Sequence, residues 1–178
     1  MSLLATAGAL AYVALATALD VRSRRIPNWL SAAALIGALA VAPTSSGAGL
    51  RSAALGLVLG IMALIVPFLL GAVGAGDVKF AGVAGAWLGP RLGFEALLLG
   101  TAIGLFVALA SAAAAGRAPQ AIAGAARLVW LLAATLSLAS LPPASQEDGR
   151  LATIPYALPL AAGVGVALAL DHHGWRLI

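Results

Sequence analysis

The stretch 52–90, SAALGLVLGIMALIVPFLLGAVGAGDVKFAGVAGAWLGP, holds only two charged residues, Asp77 and Lys79, and apolar runs flank both. Ionised side chains are costly in hydrocarbon, so charges punctuate membrane spans. Here they divide one run ending near Gly76 from a second ending near Pro90. The same punctuation continues along the chain, with charge-free stretches at 1–19, 26–50, 52–76, 80–90, 96–116, 128–146 and 151–170. The 178 residues are 62% hydrophobic and 9% charged, against ~25% charged in a soluble domain, which excludes a water-soluble globule.

A crossing helix takes ~20 apolar residues, so the composition supports five or six of them in one integral-membrane domain over 1–178. The expected fold class is all-α: a polytopic membrane helical bundle of six transmembrane helices, seven being the alternative, plus an interfacial or re-entrant helix. Spans are expected at about 3–19, 29–42, 52–71, 78–90, 94–115 and 154–170, with Pro27 and Asn28 opening the second. The additional helix falls at 128–141, short for a crossing, beside a loop of Pro142, Pro143 and the run Ser145 to Arg150. Gly56 with Gly60, Gly85 with Gly89, and Gly100 with Gly104 lie four apart, a spacing that lets helices approach closely. No internal repeat is visible.

With no cysteine, disulfides, thiolate metal sites, iron–sulfur clusters and cysteine nucleophiles are all excluded. His172 and His173, adjacent at the tail, are the only histidines, and no metal or cofactor is expected. A net charge of +4 could suggest nucleic acid. Its arginines, however, occupy short loops between apolar runs, the pattern of positive-inside anchoring, so the expected partner is the lipid bilayer. Arg22, Arg24 and Arg25 follow the first apolar run and no basic residue precedes it. That order points to a retained helix with its N-terminus outside.

Asp20 and Asp77 both follow odd-numbered spans, which puts them on the cytoplasmic face whether the bundle has six spans or seven. From Asp77 to Pro90 a helix rises only about 20 Å at ~1.5 Å per residue, so Asp77 is expected below the membrane surface. Gly71, Gly74 and Gly76 precede it, and residues without Cβ let the backbone turn sharply and a neighbour come close. Such a break at membrane depth has to be buried in protein or line a wet cavity. If Asp20 reaches the same cavity, the two carboxyls share a proton. One acid and one base then flank a single water, the working arrangement of an aspartic protease. Simpler readings stand beside this one: Asp20 paired with Arg22 or Arg24 in solvent, and Asp77 capping the fourth helix. Glu95 is expected to form an interfacial pair with Arg91, Glu147 and Asp148 to solubilise a loop, and Asp171-His172-His173 to be a solvated end.

The segment Asp20-Val-Arg-Ser-Arg-Arg-Ile-Pro-Asn28, followed by Gly74-Ala-Gly-Asp-Val-Lys-Phe80, resembles the type IV prepilin peptidase family of membrane aspartyl proteases. A third piece, Ile154-Pro-Tyr-Ala-Leu-Pro-Leu-Ala-Ala-Gly163, resembles the opening of that family's last helix, which enters from the cytoplasmic side. The resemblance implies that Asp20 and Asp77 are the catalytic pair. It implies supporting or substrate-binding roles for Arg25, Pro27, Asn28, Gly74, Gly76 and Lys79. Lys79 would tune the pair or contact the substrate carbonyl, a plain snorkelling lysine being the alternative. The implied substrate is a membrane-inserted, prepilin-like precursor with a short basic leader and a following apolar helix, cut at the cytoplasmic face of the inner membrane. Bifunctional members carry paired Cys motifs associated with methylating the new N-terminus. This chain therefore resembles the short, peptidase-only branch serving tight-adherence (Flp-type) pili, with the archaeal preflagellin peptidases as a neighbouring branch. Presenilin-like proteases share Gly-x-Gly-Asp but usually place a Tyr before the other Asp, where this chain has Leu19.

Two further classes compete. A small proton-coupled transporter would use Asp20 and Asp77 as a relay, although such transporters commonly show internal repeats and midplane sites. A purely structural pilus-assembly subunit is the other.

Overall fold

A computed structural model of the chain describes residues 2–42, 49–69, 73–116 and 157–175, with 119, 122, 123, 126 and 177 individually. Six α-helices follow one another among them: α1 (Leu3–Ser23), α2 (Asn28–Val41), α3 (Gly49–Leu69), α4 (Ala75–Leu88), α5 (Pro90–Ala114) and α6 (Ala157–His172). The all-helical expectation holds, and no strand occurs among the described residues. The expected helix at 128–141, the loop around Pro142 to Arg150 and the Ile154-Pro-Tyr lead-in lie outside them.

Helices α1, α3 and α5 have 21, 21 and 25 residues and are long and apolar enough to cross a membrane. The alternating partners α2, α4 and α6 have 14, 14 and 16, rising about 21 to 24 Å against a ~30 Å hydrocarbon core. The protein is thus a helical membrane protein in which three of the six expected crossings have full length. Helix ends depart from the expected spans mainly at charges. α1 continues through Asp20 and Arg22 to Ser23, and α5 begins at Pro90 and so takes in Arg91. A charge marks where hydrocarbon ends, whereas the backbone hydrogen-bond ladder runs on into the interface; Pro90, with no N–H to satisfy, suits a first helical position.

α4 is the hub. Phe80 to Ala86 and Leu88 are all buried, because α1, α2, α3 and α5 pack around it, the place where a helix apolar on all sides belongs. Its tightest partner is α3. A Cβ on Gly56 would stand 2.0 Å from the Gly85 carbonyl oxygen, and one on Gly60 2.3 Å from that of Ala81. Ser52 meets Gly89 in the same antiparallel register. The four-apart glycines are therefore contact points, as their spacing suggested. Trp87 fills a slot between α1 and α2, its ring lying over Gly8 and Gly37. Since the Gly56 obstacle is backbone, no rotamer change relieves it. Gly56→Val is expected to destabilise the bundle by at least ~1–3 kcal/mol, read as a lower thermal midpoint in detergent. Gly165→Ala, with nothing within 4 Å, should leave the midpoint unchanged or raise it.

At the end of α4 remote from Asp77, Arg91 in the first turn of α5 donates to Glu95 Oε1 at 3.0 Å and to Asp171 Oδ1 at the end of α6. The expected Arg91–Glu95 pair forms, with Glu95 only 1% exposed. One expectation is corrected: Asp171 is an ion-pair partner rather than a solvated tail. Both follow from the early start of α5 and from the close α5–α6 approach, in which Gly163 lies against Ala96 and Gly100. A hollow of about 400 Å³ lined in part by Ser52, Gly89, Arg91 and Asp171 opens at this end.

Candidate active site

The buried face of α1 runs through Ala5, Ala9, Tyr12, Val13 and Ala16. One turn further, the same face presents Asp20, half-buried. The helix is then stopped by Arg24, whose backbone is left-handed at φ 52° and whose N–H donates to the Asp20 carbonyl at 2.7 Å. Ser23 Oγ donates to the carbonyls of Leu19 (2.7 Å) and Arg25 (3.1 Å), tightening the turn. Arg25 is exposed, Ile26 is buried, and Pro27 takes the N-cap position of α2, so that Asn28 is its first helical residue. The Pro27-Asn28 opening is therefore shifted by one position from a proline in the first turn.

Asp77 occupies the third position of α4, where the extended backbone of Gly74 forms the N-cap. Asp77 Oδ2 accepts a hydrogen bond from the Gly74 N–H at 3.0 Å, so the capping role foreseen for this residue is real. It uses one carboxylate oxygen and leaves the other.

The two segments meet. Asp77 lies within electrostatic reach of Asp20, and the Arg24 side chain acts on Asp20 in turn. The Ile26 side chain lies against Gly76, 3.8 Å from where a Cβ would be. Lys79 Nζ donates to Asn28 Oδ1 at 2.7 Å, across 51 positions of sequence. Of the eight residues singled out from the sequence, Asp20, Asp77, Asn28, Gly74, Gly76 and Lys79 are thus connected by contact or charge. Pro27 shapes the start of α2, and Arg25 stands exposed in the turn. The Lys79–Asn28 bond was not foreseen; the signal for it was that both residues belong to the same compound motif. Among the described residues, no group of three or more His, Cys, Asp or Glu is placed to hold a metal.

Asp20 and Asp77 thus stand at one end of an apolar helical bundle, the latter in a glycine-containing helix start. Residues 7–109, which span α1 to most of α5 and include both aspartates, match the family model described as the type IV leader peptidase family, and the chain belongs to that family. It is therefore a membrane peptidase of the leader-peptidase kind. The third sequence piece, Ile154 to Gly163, lies beyond the matched residues. No curated protein and no solved structure matches the chain.

Proposed function

We propose that the protein is an aspartic-type endopeptidase that removes the short basic leader from prepilin-like, Flp-type precursors at the cytoplasmic face of the inner membrane. The observation that carries this reading is that Asp20 and Asp77 stand at the same end of the bundle, on two segments joined by the Gly76–Ile26 and Lys79–Asn28 contacts. In the reaction, one ionised carboxylate takes a proton from water as the water oxygen attacks the scissile carbonyl carbon. The protonated partner gives its proton to the carbonyl oxygen. Collapse of the tetrahedral intermediate breaks the C–N bond. The proton held by the first carboxyl passes to the leaving amine, and that from the carbonyl oxygen returns to the second.

The basic turn Arg22, Arg24 and Arg25 supports a cytoplasmic location for this end of the bundle. Proteolysis alone is proposed, because the chain has no cysteine and members that methylate the product carry paired Cys motifs. Co-expression with a Flp-type precursor tests the proposal: mass spectrometry of the pilin should show the leader removed and the mature N-terminus unmethylated. A precursor that stays full length in a membrane containing the folded protein would overturn it.

A further inference from the structure

The α4 helix presents two adjacent faces at its start. Gly76 and Lys79, three apart, share one face, and it meets the opening of α2: Gly76 against Ile26, and Lys79 Nζ on Asn28 Oδ1 at 2.7 Å. Asp77 and Phe80, also three apart, share the neighbouring face about 100° around the helix. That face meets α1, where the Phe80 and Tyr12 ring centroids lie 5.8 Å apart and Tyr12, Ala16 and Asp20 follow one another along one stripe. From Ala81 onward α4 is held backbone to backbone against α3, so the setting of its first turn decides whether Asp77 faces Asp20. Close to Asp77, a polar contact from the α4 start to the α1–α2 segment is the Lys79–Asn28 hydrogen bond. The Gly76–Ile26 contact is looser, Ile26 standing 3.8 Å from where a Cβ would be, and fixes that turn less closely.

We propose that Lys79 and Asn28 form a latch that sets the rotation of the first turn of α4 and so aims Asp77 at Asp20. Both are positioning residues, acting through Asp77 rather than on the substrate. The inference rests on the peptidase reading for its consequence in catalysis but not for its geometry, and two readouts separate the two.

The chain contains no cysteine, so Asp20→Cys with Asp77→Cys gives a membrane protein whose two thiols can be joined by a short bifunctional methanethiosulfonate reagent. Adding Lys79→Met or Asn28→Ala to that background should slow cross-linking severalfold, while Lys79→Arg, which keeps the donor, should preserve it. Unchanged cross-linking in the Lys79→Met and Asn28→Ala proteins would overturn the latch whether or not the protein is a peptidase.

The second readout is a double-mutant cycle on leader cleavage, in which wild-type turnover reports on the peptidase reading itself. Lys79→Met and Asn28→Ala are each expected to lower kcat roughly tenfold to a hundredfold, the scale of an ångström-sized misplacement of a reacting group. KM should stay within about twofold, since neither residue is placed on the substrate. The double variant should be no slower than the slower single one, and Lys79→Arg should restore most of the rate. Independent, multiplying losses, a rise in KM at constant kcat, or a displaced pH profile in Lys79→Met would each overturn the proposal. They would indicate, respectively, unrelated roles, a substrate contact, and direct charge tuning of the aspartate pair. If Lys79→Met fails to accumulate in membranes, Lys79→Leu, which also lacks a donor, replaces it in both experiments with the same expected outcomes.

Discussion

Asp77→Asn is expected to reduce leader cleavage by about a thousandfold or more, with normal accumulation of the protein in membranes. General acid–base groups commonly contribute ~10²–10⁴ in rate, and here the substitution removes the proton that the pair must share. Asparagine keeps the shape and retains a side-chain oxygen that can accept from the Gly74 N–H, as Asp77 Oδ2 does at 3.0 Å. The helix start should therefore survive. Asp77→Ala loses both functions, and its thermal midpoint should fall as well, by the equivalent of ~1 kcal/mol for a lost cap. The contrast separates the capping role from the chemistry within one residue. Asp20→Asn should match Asp77→Asn in rate, and the double substitution should be little worse than either, because groups that act as a unit are not additive. Full-rate cleavage by either single variant would remove that residue from the catalytic pair.

The largest stability effect is expected at the opposite end. Arg91→Met leaves Glu95, 1% exposed, without its guanidinium partner; with the Arg91 side chain itself 37% exposed, the loss is expected to fall below the ~3–5 kcal/mol of a fully buried pair. The measurement is the thermal midpoint in detergent. Adding Glu95→Gln to Arg91→Met should recover much of the loss, since an uncharged amide does not need the lost cation. Asp171→Asn should be milder, because the Asp171 side chain is 27% exposed and water can still reach it. An Arg91→Met protein as stable as wild type would overturn this expectation.

The sequence made the helices legible because apolar runs and charges alternate so strictly. What it blurred were the ends. Asp20 and Arg91 both sit inside helices rather than beside them, since an interface tolerates charges on a continuing backbone ladder. The site was legible through two short motifs, and the structure joins them by contacts that spacing alone does not encode: Lys79 with Asn28, and Ile26 with Gly76. Asp77 shows why weighing a structural against a functional reading was undecidable from sequence. A carboxylate has two oxygens, and one can cap a helix while the other remains for chemistry. The burial of Glu95 depends on how closely α6 approaches α5, which spacing along the chain does not encode. That approach is set by Gly100, five positions along α5 from Glu95, and by Gly163 on α6.

The short second helix has a consequence for the surrounding lipid. α2 bears exposed Trp29 in its first turn and exposed Ile36 further along, so part of its surface faces acyl chains. With 14 residues it leaves a hydrophobic mismatch of several ångströms, which a bilayer relieves by local thinning at a modest cost per ångström. The thinnest annulus then borders the turn between Asp20 and Asn28. Under the proposed aspartic mechanism, a membrane-anchored precursor arriving there would need to rise less far to bring its scissile bond level with Asp20 and Asp77, and acyl-chain length would become a determinant of turnover.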